Sequence, residues 1–187
     1  MNSYRHSRAF TLIEILVVIS IFAIVVSIAV LSLGLLGDDR NLRQEGRRVI
    51  TLVQLAQDEA TMQGREFGIE FMSGGYRFVE YDPFLNAWGE IVGDDTLTMR
   101  QLPEDTEFDL FIEGQRVLLN TEAAEFEQPD ETSFASGIPD YAPHVLVFSS
   151  GDMTPFELHI IHSELDQVVM LESNLLGDIK FSEEDER

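Results

Sequence analysis

Between Glu14 and Asp38 the chain runs for 23 residues, Ile15–Gly37, without a formal charge, and most of them are Ile, Val or Leu. Wound as a helix at about 1.5 Å per residue, such a run is roughly 35 Å long, enough to cross a hydrocarbon core of about 30 Å. Residues 1–9 (MNSYRHSRA) contain Arg5, His6 and Arg8 and no acid, while Asp38 and Asp39 follow the run. Basic residues before a span and acids after it predict an N-terminus in the cytoplasm and everything beyond residue 37 outside. A secretory signal would have an apolar core of about 7–15 residues ending at a small-residue cleavage site. This run is longer and closes on LSLGLLGDD, without an A-x-A pattern. The chain is therefore expected to stay anchored by a single helix.

The rest of the chain is different in character. The whole protein, 187 residues, has 34 acidic and 12 basic side chains and a formal net charge of −22. From Arg65 onward there are 28 acids against six bases. Such a field repels phosphate backbones, so nucleic acid is excluded as a partner of this part; a basic protein surface or bound cations would suit it. There is no cysteine, so neither a disulfide nor a thiolate metal site can hold it together. Stability has to come from an ordinary hydrophobic core, which about 120 residues can build.

Glu14 is the residue that a plain membrane anchor leaves unexplained. A carboxylate in an apolar stretch costs on the order of a few kcal/mol, less near the membrane edge. The run Arg8-Ala9-Phe10-Thr11-Leu12-Ile13-Glu14, followed by the apolar segment, resembles the class III prepilin motif G-F-T-L-[IL]-E. The resemblance implies that a membrane aspartyl peptidase, the prepilin peptidase, cuts between Ala9 and Phe10 and methylates the new amino group of Phe10. Ala9 stands where the family usually has Gly; it is small enough for a tight peptidase site, and cleavage is still expected. After the cut, Glu14 lies one helical turn past the new terminus. There it can neutralise the ammonium group of Phe10, in its own chain or in a neighbour. Two charges that are each costly in lipid would become a pair that favours one axial register between subunits, which makes Glu14 the candidate filament-assembly residue. The competing reading is a carboxylate that snorkels to the interface.

Past the membrane run, Leu42, Gly46, Val49, Val53, Ala56 and Ala60 recur at steps of four and three, one face of a helix. Gly64 is placed to cap it. One helix from about Phe10 to Gln63 is expected, half in lipid and half on a head, with the Leu/Val/Ala stripe facing a sheet. Beyond Gly64 the period becomes two. Phe67, Ile69 and Phe71 alternate with Gly68 and Glu70, and Ser73-Gly74-Gly75 turns the chain into Tyr76–Tyr81, a hairpin signal. Further strands are expected near Leu97–Leu102, Phe108–Ile112, Val117–Leu119, Val145–Ser149, Phe156–Ile161 and Val168–Leu171. An acidic loop spans 120–143, and the tail from Ser182 is expected to be disordered.

The passage Val145-Leu146-Val147-Phe148-Ser149-Ser150-Gly151-Asp152-Met153-Thr154-Pro155-Phe156-Glu157-Leu158 is similar to the strand–SGxxTPF–strand passage of the H-type minor pseudopilins of type II secretion. With the prepilin motif, it implies an α+β, pilin-like fold. In that fold a long N-terminal helix, transmembrane then amphipathic, packs on an antiparallel β-sheet head. The expected division is a leader at 1–9, an assembly helix at 10–37, an amphipathic helix at 38–64 and a periplasmic β-rich head at 65–187. The implied role is a subunit at the tip of the secretion pseudopilus. The implied partners are the other minor pseudopilins, the major pseudopilin, the prepilin peptidase and the inner membrane. A minor pilin of a type IV pilus is the alternative; the acidic head and the missing disulfide loop speak against it. A membrane-anchored binding protein unrelated to filaments would leave Glu14 unexplained.

No chemistry beyond this is indicated. His159 and His162 are three apart in an expected strand and so on opposite faces. His144 follows a proline, His6 lies in the leader, and no spacing suits zinc; all four read as solvated or turn residues. Asp94-Asp95, Glu104-Asp105 and Asp130-Glu131 lack the D-x-D-x-D-G calcium loop. Ser149, Ser150 and Ser163 lack a G-x-S-x-G context. No catalytic residue, metal site or cofactor is expected.

Overall fold

The computed structural model describes residues 11–126, 141–164 and 167–182; the side chains of 28–40 and 182 fall outside that description. Ala9, Phe10, most of the acidic 120–143 loop and the end of the tail therefore lie outside the described residues. The chain divides into two compact units, Met1–Arg40 and Asn41–Arg187.

In the first unit, helix α1 (Leu12–Gln63) begins. Every described side chain from Thr11 to Ser27 is exposed, and all but Thr11, Glu14, Ser20 and Ser27 are apolar. The two serines in this stretch do not present free hydroxyls. Ser20 donates to the Leu16 carbonyl and Ser27 to the Ala23 carbonyl, each at 2.8 Å. This turns their polarity back onto the helix, as an apolar environment requires. Among the described residues no helix is long and apolar enough to cross a membrane. The expected 23-residue run continues past Ser27 into residues whose side chains are not described.

In the second unit the rest of α1 supplies one wall of the core. Leu42, Gly46, Val49, Val53, Ala56 and Ala60, the expected stripe, are all buried, and Leu52 joins them. Gly46 is small for a reason: a Cβ there would stand 2.9 Å from the Phe181 ring. The helix ends as anticipated. Gly64 takes φ +67° and the Arg65 N–H donates to the Ala60 carbonyl at 3.1 Å, the six-to-one bond of a Schellman cap that only a residue tolerant of positive φ allows cheaply.

Among the described residues, ten strands follow in two antiparallel sheets. The first contains β1 (Phe67–Met72), β2 (Gly75–Asp82), β3 (Ala87–Glu90), β4 (Arg100–Gln101) and β7 (Val145–Val147). Its order is β3-β2-β1-β7, with β4 also paired to β2. The second contains β5 (Thr106–Ile112), β6 (Gln115–Val117), β8 (Glu157–His162), β9 (Gln167–Ser173) and β10 (Ile179–Ser182), in the order β10-β9-β8-β5-β6. The hairpin expected at Ser73–Gly75 forms, with Met72 opposite Gly75. Phe71 joins the two sheets: its ring centroid lies 5.7 Å from Phe108, edge-on, and 5.8 Å from Phe156. Aromatic contacts of this kind add to simple burial.

The structure adds two strands that the sequence pattern does not announce, β3 and β10, shortens two and shifts one. Val145–Ser149 ends at Val147, and Val117–Leu119 gives way to Gln115–Val117. The expected Leu97–Leu102 strand narrows to Arg100–Gln101, because Leu97 is drawn into the core. The Asp94 carboxylate accepts the Thr96 and Leu97 N–H groups at 2.6 and 3.3 Å, fixing the turn before it.

Candidate functional site

The N-terminal candidates divide at the edge of the described residues. Ala9 and Phe10 lie outside it. Thr11 and Glu14 lie within it, and they meet. Thr11 precedes α1, and its hydroxyl oxygen accepts the backbone N–H of Glu14 at 3.3 Å, while its carbonyl receives the same N–H at 3.1 Å. Thr-x-x-Glu is the spacing of a capping box, in which the first residue satisfies an orphan donor of the helix start. Glu14 also falls in the first turn, where a negative charge is favoured by the helix dipole. The motif read as a processing signal is thus also a helix-initiation signal. The pattern was visible in the sequence, but the peptidase motif occupies the same letters. Glu14 is exposed at the start of an exposed apolar helix face, so its carboxylate is available to a group outside its own chain.

In the head the passage Val145–Leu158 turns out to be the hinge between the two sheets. β7 leaves the first sheet, Gly151 takes φ +92°, and β8 enters the second. Thr154 closes the turn twice: its N–H donates to the Leu146 carbonyl at 2.9 Å, and its hydroxyl accepts the Leu146 N–H at 3.1 Å. Ser173 then seals the start of β8 by accepting the Phe156 N–H at 2.7 Å. The Gln57 side chain of α1 donates to the Gly151 and Leu176 carbonyls. Every contact in this passage is architectural.

A second polar constellation sits on the face of β1 turned away from the core. Strand β1 is buried along its whole length, although Gly68 and Glu70 alternate with the core residues. Glu70 and Arg77, paired across β1 and β2, form a buried ion pair with Arg77 Nε 2.5 Å from Glu70 Oε2. Glu70 holds both roots of the acidic loop, and Arg77 reinforces the first. Glu70 accepts the Ala124 N–H at 2.9 Å and the Tyr141 hydroxyl at 2.8 Å. Arg77 donates to the Ala124 carbonyl at 2.5 Å and lies 4.1 Å over the Phe126 ring, which meets the Tyr141 ring edge-on. Burial, and then the bond to Glu70, push the Tyr141 phenol well above its ordinary range, so it stays a donor.

His144 is the correction to the histidine reading. It is not a solvated turn residue. Its own N–H donates to the Ile69 carbonyl at 3.0 Å and its Nδ1 accepts the Phe71 N–H at 3.1 Å, so it closes the edge of β1. Burial pushes its pKa below the ordinary value, against a smaller opposing pull from Glu70. The unfolded chain therefore binds a proton near pH 6.5 that the folded chain refuses until lower pH. The stabilisation is fully present above about pH 6.5 and is lost as pH falls through the lower, folded value. We expect urea denaturation to show a weaker head at pH 5.5 than at 7.5, with a smaller difference in His144→Ala. An NMR titration that protonates His144 above pH 6.5 would contradict this. His159 stands on the outer face of β8, 2.6 Å from Glu157. Among the described residues, no group of His, Asp and Glu is arranged to hold a metal ion.

Comparison with known proteins bears on both regions. Residues 4–30 match the prokaryotic N-terminal methylation motif. The chain is 33% identical over 156 residues, 83% of its length, to the type II secretion system protein H of Pseudomonas aeruginosa, covering 84% of that protein. It is 28% identical to the type II secretion system protein H of Aeromonas hydrophila, with 89% of this chain and 86% of that one aligned. In fold it is similar to the crystal structure of the minor pseudopilin EpsH from the type II secretion system of Vibrio cholerae, with a TM-score of 0.58 and 20% identity, covering 78% of this chain and 98% of that one.

Proposed function

The chain belongs to the type II secretion system protein H family, and from that premise we propose that this minor pseudopilin is processed before Phe10 and caps the pseudopilus from the inner membrane. The observation that carries the proposal is the run Phe10–Glu14 at the start of an exposed apolar helix. Cleavage between Ala9 and Phe10 would remove the basic leader and leave an N-methylated ammonium group four residues before Glu14. The apolar helix would hold the subunit in the membrane until extraction, with its N-terminus on the cytoplasmic side and the head periplasmic. Within the filament, Glu14 would pair with the terminus of an adjacent pseudopilin and fix its axial register. The head would then stand among the other minor pseudopilins, and export of folded proteins across the outer membrane would follow from growth of the filament beneath it. Nothing in this role calls for a catalytic group.

Intact mass spectrometry of the membrane-extracted protein tests the processing step. The expected mass is that of a chain beginning at Phe10 with one added methyl group. A retained Met1, or a terminus near residue 34, would contradict it.

A further inference from the structure

The hairpin of β2 and β3 carries a feature that the assembly role does not use. Its turn places Phe84 and, just past β3, Val92 almost wholly in solvent, 93% and 89% exposed. Single exposed apolar residues need no explanation, but this turn is built to hold its position. The Asp82 carboxylate accepts the N–H groups of Phe84 and Leu85 at 2.8 and 3.2 Å, and the Tyr81 hydroxyl donates to Asn86 Oδ1 at 2.6 Å. Asn86 itself takes φ +52° to close the turn. Behind the tip, Tyr81 and Trp88 pack with ring centroids 5.2 Å apart. Together with Phe84 and Phe126 they line an open groove of about 700 Å³.

The charges around the groove are of one sign. Glu80, Asp82 and Glu90 line it. Glu80 is neutralised by Arg65, while among the described residues no Lys or Arg pairs with Asp82 or Glu90. Aromatic faces beside uncompensated carboxylates form the chemistry that receives an ammonium or guanidinium group. A rigidly held aromatic beside them is the kind of anchor that dominates protein interfaces.

We propose that this groove docks a partner protein through a cationic segment, which lays a Lys or Arg against Tyr81, Trp88 and Glu90 and receives the Phe84 ring in an apolar pocket. Charge selects this occupant. A second copy of a chain with net charge −22, or an anionic lipid surface, would be repelled. The inference stands on the groove and is independent of the processing of the N-terminus.

Trp88 is the single tryptophan, so its fluorescence reports on the groove directly. The full chain in zwitterionic micelles at about 0.15 M salt, where exposed charges are screened beyond about 8 Å, is titrated with acetyl-Arg-Leu-Leu-Arg-amide. The analogues with Ser or Glu in place of Arg serve as comparisons. A saturable Trp88 response to the arginine peptide alone is expected, weakened at least fivefold by Phe84→Ala and by Glu90→Gln. Glu113→Gln, on the exposed turn between β5 and β6, should leave it unchanged. The proposal is overturned by no saturable response, by equal response to the serine peptide, by Glu113→Gln acting as strongly as Glu90→Gln, or by Trp88 responding to added chain instead.

Discussion

Replacing Glu70 by Ala should cost the head about 3–5 kcal/mol, the usual penalty for leaving one member of a buried ion pair without the other. Glu70 and Arg77 side chains are 5% and 11% exposed, so water cannot take over as partner. Arg77 keeps the Ala124 carbonyl and the Phe126 ring, which places the expected loss toward the lower figure. The Tyr141 hydroxyl and the Ala124 N–H lose their acceptor at the same time. Against an ordinary domain stability of about 5–15 kcal/mol this is a large fraction, and a melting point lowered by roughly 10 °C follows at about 2–4 °C per kcal/mol. The double replacement Glu70→Met with Arg77→Met should cost less than the single one, because it leaves no orphaned charge. Urea denaturation of a chain beginning at Asp38 measures both. A Glu70→Ala loss under about 1 kcal/mol, or a double variant weaker than the single, would show that the pair does not hold the loop roots.

The second large effect concerns assembly. Glu14→Gln removes the charge and little else. The contact to Thr11 uses the backbone N–H of residue 14, which Gln retains, and Gln is accepted at that position of a capping box. The helix start is therefore preserved, membrane insertion becomes easier and the residues flanking the scissile bond are unchanged. On the proposed pairing, what is lost is the counter-charge for an ammonium group at membrane depth. Even 1.4 kcal/mol, well below the cost of breaking a buried pair, is tenfold in a subunit-exchange equilibrium. Processed chains with crosslinks to other pseudopilins reduced at least tenfold are the expected result. If Glu14→Gln chains are processed and crosslink at the wild-type level, the carboxylate only snorkels and the register argument fails.

The helix was legible because its stripe of Leu42, Val49, Val53, Ala56 and Ala60 follows a local period, and its end because Gly64 carries the cap within the same few residues. The first hairpin was legible for the same reason. Strand β3 was not: Ala87-Trp88-Gly89-Glu90 has one strand-forming residue, and its existence depends on the register with Val79–Asp82. The burial of the outward positions of β1 was hidden for a different reason. Gly68 and Glu70 alternate with Phe67, Ile69 and Phe71 as solvent-facing residues would. They are buried because Ala124, Tyr141 and Pro143, more than 50 positions away, cover them. Gly68 is Gly because a Cβ there would stand 2.2 Å from Pro143. No local pattern announces a partner at that distance in sequence. The start of the helix was legible because Thr11 and Glu14 stand at the spacing of a local cap, and the match of residues 4–30 to the N-terminal methylation motif rests on the same short run.

Export in a strain lacking this chain is the most direct measure of the central claim. Folded type II substrates should accumulate in the periplasm, and the wild-type chain, but not a chain with Phe10 and Glu14 both replaced by Ala, should restore their release. Normal release of those substrates together with loss of surface pili would contradict it, and would assign the chain to a pilus instead.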